Sequence, residues 1–219
     1  MKLQAMIFDM DGVITSSSNE HFAAWRVLAS ELGFELPDEL EVFTKGVSRM
    51  DSLEVILRHA KLQDKFTDEQ KIAMATKKNE IYIEMISKFT PDNLLPGAVG
   101  LMEQCLSNNI RIALASASRN GPLLIERLGI SEYFDYIVNP AQISQGKPAP
   151  DIFLKASREL GINPDFCVGV EDAVAGIAAI KSAGMTAVGI GNPDELYAAD
   201  IVYPDCSYVD LKEIEELMI

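Results

Sequence analysis

From about residue 95 onward the sequence alternates short β-like apolar runs with stretches of helical spacing, an order that admits few architectures. Arg111-Ile112-Ala113-Leu114-Ala115 reads as a strand, followed by polar residues and a helix over Pro122 to Leu128. Tyr136-Ile137-Val138 leads through a loop to a helix starting near Asp151. Cys167-Val168-Gly169-Val170 precedes a helix over Ala173 to Ala183, and Thr186-Ala187-Val188-Gly189-Ile190 follows it. Such repetition predicts a parallel sheet with helices on its faces and right-handed crossovers. Leu3 to Phe8 supplies an opening strand. Gly189-Ile190-Gly191 reads as a turn, because the rest of a dinucleotide fingerprint is missing.

Residues 17–88 follow a different rule. Phe22, Trp25, Leu28, Ala29 and Leu32 recur at helical spacing, as do Leu53, Ile56 and Leu57, and again Ile81, Met85 and Ile86. No strand signal accompanies them. The expected organisation is a core of residues 1–16 and 89–219 interrupted by a helical cap of residues 17–88. Linkers fall near Ile14–Ser18 and Lys88–Pro96.

Charge narrows the partners. The chain has 219 residues and a formal net charge of −14. It has no Lys/Arg run of the kind that displaces counterions from nucleic acid. Neither nucleic acid nor an anionic membrane is an expected partner, and no apolar run reaches the ~20 residues of a membrane helix. Cys105, Cys167 and Cys206 are widely spaced, with no C-x-x-C pair, and read as small buried hydrophobes in a reducing cytoplasm.

The chemistry concentrates at strand ends. Asp9-Met10-Asp11-Gly12-Val13 follows the apolar Met6-Ile7-Phe8. In extended chain, residues i and i+2 project to one side, so two carboxylates emerge together where open α/β sheets bind ligands. Their repulsion calls for a cation or a shared proton. That suits one ionised nucleophile, one proton donor and a metal held by oxygens. A pair of capping aspartates would read the same way, whereas a calcium loop would need a D-x-D-x-D-G-x₅-E pattern that is absent. Ser116, after Leu114-Ala115, can donate to a phosphate or cap a helix. Lys147, in Lys147-Pro148-Ala149-Pro150, is either a fixed cation or a surface lysine. Glu171-Asp172 are either further ligands or caps for the next helix. All four elements in this order, each after a strand, are harder to attribute to capping.

Together these segments resemble the four motifs of haloacid dehalogenase-superfamily phosphotransferases, and the helical insertion after the first motif resembles that superfamily's cap. The resemblance covers essentially the whole chain and implies a Rossmann-like parallel-sheet core with an inserted α-helical cap domain. It narrows to the β-phosphoglucomutase family through Gly46-Val47-Ser48-Arg49, Lys78-Asn79, Ala115-Ser116-Ala117-Ser118-Arg119-Asn120 and the His21–Trp25 pair.

The resemblance implies roles residue by residue. Asp9 is the expected nucleophile and Asp11 the general acid/base. Mg²⁺ is expected on Asp9, the main-chain carbonyl of Asp11 and Asp172, with Glu171 in or beside that set. Ser116 and Lys147 hold the transferring phosphoryl group, and Arg49 grips the second phosphate. Gly46, Val47, Ser48, Lys78, Ala117, Ser118, Arg119, Asn120, His21 and Trp25 are expected around the sugar. His21 also reads as a polar helix-face residue, and Trp25 and Phe22 as cap core. The chain departs from the family pattern at Ser16, where an Asp is usual, at Arg119, commonly a lysine, and at Ser17, which keeps the hydroxyl of a common Thr. The implied activity is interconversion of β-D-glucose 1-phosphate and glucose 6-phosphate by a cytoplasmic monomer. A sugar-phosphate phosphatase is the alternative. A sensor without catalysis has no evident need for Asp9, Asp11, Lys147 and Asp172 together.

Overall fold

The computed structural model describes residues 2–44 and 47–218, which leaves the expected substrate residue Gly46 outside the described residues. The chain divides into two compact units, one formed by Met1–Ser16 with Phe89–Ile219 and the other by Ser17–Lys88.

The first unit is built on a parallel sheet. Its strands are β1 (Ala5–Phe8), β2 (Arg111–Leu114), β3 (Tyr136–Ile137), β4 (Cys167–Glu171), β5 (Thr186–Ile190) and β6 (Ile201–Tyr203). They lie in the order β3-β2-β1-β4-β5-β6, and every pairing is parallel. All four residues of β1 and all five of β4 are buried, which is why both strands read as unbroken apolar runs rather than alternations. β6 is absent from the sequence reading because no helix separates it from β5, so the strand–helix alternation does not mark it, whereas the shorter edge strand β3 follows α6.

Connecting this sheet are helices on both sides of the insertion point. The helical unit contains α1 (Ser18–Glu31), the short α2 (Glu41–Thr44), α3 (Arg49–His59) and α4 (Asp68–Ile86); the sheet unit contains α5 (Ala98–Ser107), α6 (Gly121–Arg127), α7 (Asp151–Leu160), α8 (Val174–Ser182) and α9 (Leu211–Leu217). The core under the sheet joins Ala5 and Ile7 of β1 to Ile152, Phe153 and Ala156 of α7 and to Ile177 and Ile180 of α8. Fully burying one such large apolar side chain stabilises the fold by ~1.5–3 kcal/mol. At Gly169 of β4 the helix comes so near that an added Cβ would meet Ile180 at 2.5 Å.

Where the chain leaves the sheet unit and where it returns, the two segments are tied together. The Leu95 amide donates to the Ile14 carbonyl at 2.9 Å, and the Thr15 hydroxyl donates to the Asn93 carbonyl at 2.8 Å.

The helical unit has its own core of Phe22, Trp25, Leu28, Ala29, Leu36, Leu53, Ile56, Leu57 and Ala75. Its longest helix, α4, begins at a reciprocal cap: Thr67 Oγ1 accepts from the Gln70 amide, and Gln70 Oε1 accepts from the Thr67 amide. Such a cap satisfies two otherwise orphaned donors. The buried face of α4 is Ala75, Lys78, Tyr82 and Ile86. Of the apolar Ile81, Met85 and Ile86, only Ile86 lies on this face; Ile81 and Met85 are half-buried, and a lysine occupies part of the inward stripe.

Candidate active site

In the sheet unit the strand register brings three chain segments level. Phe8 of β1 pairs with Leu114 of β2 on one side and Val170 of β4 on the other. The next residues, Asp9, Ala115 and Glu171, therefore stand side by side at the carboxyl ends of adjacent strands. The Ala115 amide donates to the Phe8 carbonyl, and the Asp9 amide to the Val170 carbonyl. Strand order reverses here, since β1 lies between β2 and β4, and open α/β sheets bind ligands at that point.

Asp9, Glu171 and Asp172 each offer a carboxylate oxygen, and these atoms lie within 4.8 Å of one another. The ammonium of Lys147 donates to Asp9 Oδ1 and to Glu171 Oε1, each at 2.6 Å, and the side chains of Lys147 and Glu171 are fully buried. Glu171 Oε2 accepts from the amides of Asp172 and Ala173, both at 2.8 Å. Glu171 thus anchors the entry to α8 and holds Lys147.

Burial raises the Asp9 carboxyl well above its ordinary range; the Lys147 ammonium opposes that rise, while Glu171 and Asp172 add to it. Burial also works against the charge on Lys147, but Asp9 and Glu171 outweigh it and keep its pKa above the ordinary lysine value. One ammonium among three close carboxylates leaves an excess of negative charge in a buried place. A hard divalent cation with oxygen ligands fits that donor set. Backbone shape fits as well: at Gly12, with φ +79°, an added Cβ would fall 1.7 Å from Asp172 Oδ2, so only glycine lets the turn pass beneath that carboxylate.

Asp11 lies in this turn, half-buried, with the chain bridged from Asp11 to Thr15. Buried Ser116 accepts the Ser118 amide on Oγ at 3.1 Å, and Ser118 Oγ accepts the Asn120 amide at 3.3 Å. Ser116 does not cap a helix; the N-cap of α6 is Asn120. Ala117 and Ser118 are half-buried, Arg119 is exposed and Asn120 is buried.

The helical unit gathers a second set of polar residues. Lys78 is 1% exposed, and its ammonium lies 2.5 Å from His21 Nδ1. The His21 ring stacks on Tyr82 with centroids 3.8 Å apart and planes 13° from parallel. Tyr82 Oη and Ser17 Oγ are 2.7 Å apart. The same ammonium lies 4.8 Å from the Trp25 ring centroid and 5.0 Å from that of Tyr82. Trp25 is therefore a member of the helical core that also faces a buried cation. Val47 is half-buried, and Ser48 caps α3 by accepting the Asp51 amide at 3.2 Å. Arg49, the first residue of α3, donates from Nη2 to Asn79 Oδ1 at 2.6 Å.

Tyr82 and Gly176 had no marker in the sequence, and Asn79 appeared only as part of a motif. Each gains its place through a partner distant in sequence or on a neighbouring turn: Tyr82 through Ser17 and His21, Asn79 through Arg49, and Gly176 through the carboxylate of Glu171.

Comparisons with known proteins agree on one relationship. Residues 3–184 match the family model for haloacid dehalogenase-like hydrolases. The chain is 43% identical to the β-phosphoglucomutase of Bacillus subtilis (strain 168) over 98% of its own length and 95% of that protein's. The crystal structure of a β-phosphoglucomutase from Clostridium difficile superposes with a TM-score of 0.96 at 40% identity, covering 99% of this chain and 97% of that one. A phosphorylated carbohydrates phosphatase of Thermotoga maritima is 30% identical over 84% of this chain and 82% of its own length. With its parallel sheet, its acidic strand ends and this breadth of match, the chain belongs to the haloacid dehalogenase-like hydrolase family.

Proposed function

We propose that the chain is a β-phosphoglucomutase that interconverts β-D-glucose 1-phosphate and D-glucose 6-phosphate through an aspartyl-phosphate on Asp9 and a 1,6-bisphosphate. The observation that carries this reading is the likeness to the Bacillus subtilis enzyme, which runs through the helical unit as well as the sheet unit. That matters because the helical unit supplies Arg49, the cation for a second phosphate.

In this reading Asp9 attacks the phosphorus of the substrate's phosphate. Asp11 gives a proton to the departing sugar oxygen and, in the return half, takes one from the attacking hydroxyl. Ser116 and Lys147 donate to the equatorial oxygens of the moving phosphoryl group, whose transfer depends on position and charge compensation. Arg49, oriented by Asn79, binds the stationary phosphate with a planar fork that can reach two oxygens. His21, Trp25, Val47, Ser48, Lys78, Ala117, Ser118, Arg119 and Asn120 line the sugar's surroundings. Asp9 and Asp172, the main-chain carbonyl of Asp11 and neighbouring Glu171 would hold Mg²⁺, which when bound offsets the negative charge of phosphate and carboxylates.

The sheet unit is the catalytic core and the helical unit its cap. The protein acts as a monomer in the cytoplasm; no described helix is long and apolar enough to cross a membrane, and the free buried cysteines suit a reducing compartment.

A second reading, a sugar-phosphate phosphatase, is favoured by the likeness to the Thermotoga maritima phosphatase. About 1.4 kcal/mol in relative barrier shifts the choice between water and a sugar hydroxyl tenfold. One reaction separates the readings: purified protein, Mg²⁺, β-glucose 1-phosphate and a trace of β-glucose 1,6-bisphosphate. Glucose 6-phosphate far above released phosphate supports the mutase; phosphate without the isomer overturns it in favour of the phosphatase.

A further inference from the structure

An ammonium has three N–H donors. Two of those of Lys147 go to Asp9 Oδ1 and Glu171 Oε1, each at 2.6 Å, and the lysine side chain is fully buried. A third neighbour carries no charge. The ammonium lies over the ring of Phe153, 5.2 Å from its centroid, inside the ~6 Å within which an aromatic face attracts a cation. Phe153 is itself fully buried, in the first turn of α7, and belongs to the core that contains Ile7, Ala113 and Ile177.

The two residues share one short segment, Lys147-Pro148-Ala149-Pro150-Asp151-Ile152-Phe153. Hydrogen bonds fix the turn between them. The Ala149 amide donates to the Gly146 carbonyl and the Leu154 amide to the Pro150 carbonyl, each at 3.0 Å. Because α7 is anchored in the core, the same stretch of chain sets both the ring and the root of the lysine. The attraction between a ring face and a cation is strongest where water is excluded, as it is around this side chain.

The kind of neighbour matters. In the reading above, Asp9 loses its negative charge when it takes the phosphoryl group, and the phosphoryl oxygens bring negative charge of their own. A carboxylate in place of the ring would repel the incoming phosphate and offer a further oxygen to a metal. An amide would present an oxygen that competes for the N–H meant for the phosphate. The ring attracts the ammonium through its quadrupole, has no net charge and offers a metal no oxygen. Its pull is the same before and after transfer, whereas that of Asp9 is not.

We propose that Phe153 is a positioning residue for phosphoryl transfer: the face of its ring holds the Lys147 ammonium in place while the charge on Asp9 changes. This rests on the reading above, in which Lys147 donates to the moving phosphoryl group.

The test replaces Phe153 in the full chain with mono-, di- and trifluorophenylalanine, which drain the negative potential of the ring face stepwise at nearly constant shape. Cyclohexylalanine removes that potential altogether. Each replacement is made in the parent and in Lys147→Met. With Mg²⁺, β-glucose 1-phosphate and a trace of the 1,6-bisphosphate, kcat is expected to fall with each fluorine, about ten-fold by the third, with a smaller change in KM. Denaturant midpoints read the contact without turnover: each fluorine lowers the midpoint of the parent relative to that of Lys147→Met. A residue that merely fills the core would change both backgrounds alike and show no graded loss of kcat, and either result overturns the proposal. If the protein releases phosphate and makes no glucose 6-phosphate, a graded midpoint difference with a graded fall in phosphate release keeps Phe153 assigned and sinks the mutase reading. A flat series in an active mutase does the reverse.

Discussion

Gly176 and Glu171 interlock: a Cβ built on the glycine would fall 1.8 Å from Glu171 Oε1, the oxygen that accepts from Lys147. Position 176 lies in the first turn of α8. In an open helix, Gly→Ala gains up to ~1 kcal/mol. Here Gly176→Ala is expected instead to lose ~1–3 kcal/mol by overpacking, and to lower turnover by displacing the Glu171–Lys147 pair. Denaturant unfolding gives the sign directly; a gain in stability would mean that the carboxylate moves aside freely.

Lys147 is the neutralising cation of the carboxylate cluster, and its removal exposes the need for another. Lys147→Met should cost ~3–5 kcal/mol in metal-free buffer, as expected when one partner of a buried ion pair is lost. Millimolar Mg²⁺ should stabilise this variant more than the parent. Thermal melts with and without Mg²⁺ measure both effects. Equal Mg²⁺ shifts in the two proteins would detach the metal from this cluster.

Arg49 and Asn79 should behave as a unit. Arg49→Ala is expected to lower kcat/KM ~10–100-fold, the equivalent of the ~1.5–3 kcal/mol of a hydrogen bond to a charged group. Arg49→Lys should recover only part, lacking the fork, and Asn79→Ala should fall in the same direction by less. Mutase rates at subsaturating β-glucose 1-phosphate give the ranking. Full activity in Arg49→Ala would remove the second phosphate site from this residue.

Acid should weaken the helical unit through His21. Burial first, then Lys78 and Arg49, hold its pKa well below the ordinary histidine value. Below about pH 6.5 the unfolded chain takes up a proton that the folded ring refuses. Stability is thus intact above that pH and falls as pH drops beneath it, by at most ~1.4 kcal/mol per pH unit from this residue. His21→Gln should flatten that part of the profile. Parallel pH profiles of unfolding free energy in parent and variant would assign the acid loss to other groups.

The cysteines should be silent in the native protein. Burial pushes Cys105 and Cys206 up to about 12 and Cys167 up to about 11. Thiol-specific reagents are expected to label none of them near neutral pH until denaturant is added, and then all. Native labelling of Cys105 would contradict its burial.

Sequence spacing revealed the sheet wherever strands are buried on both faces, as in Met6-Ile7-Phe8 and Cys167 to Val170. It also picked out Asp9, Glu171 and Asp172, because polar residues that end such runs stand out against them, and Lys147 through the prolines that bracket its loop. In the fold those four lie together. Two kinds of feature escaped. β6 follows β5 with no helix between them, so the strand–helix alternation does not mark it. Residues whose meaning is a distant partner carry no local mark: Tyr82 meets Ser17 across 65 residues of chain, and Gly176 is defined by a carboxylate it must leave room for. On α4 the signal was misleading as well, since a buried ammonium among aromatic rings breaks the apolar stripe that marks a core-facing side.

The pairing of Ile14 with Leu95 and of Thr15 with Asn93 has a consequence for ancestry. The whole Ser17–Lys88 segment begins and ends at one place on the sheet unit. Joining those two points directly would span a single hydrogen bond's width and demand little loop-closure entropy. An ancestral sheet protein could therefore have acquired, exchanged or shed the helices without disturbing the strand order, and relatives with unlike insertions at this junction could share one unchanged catalytic scaffold.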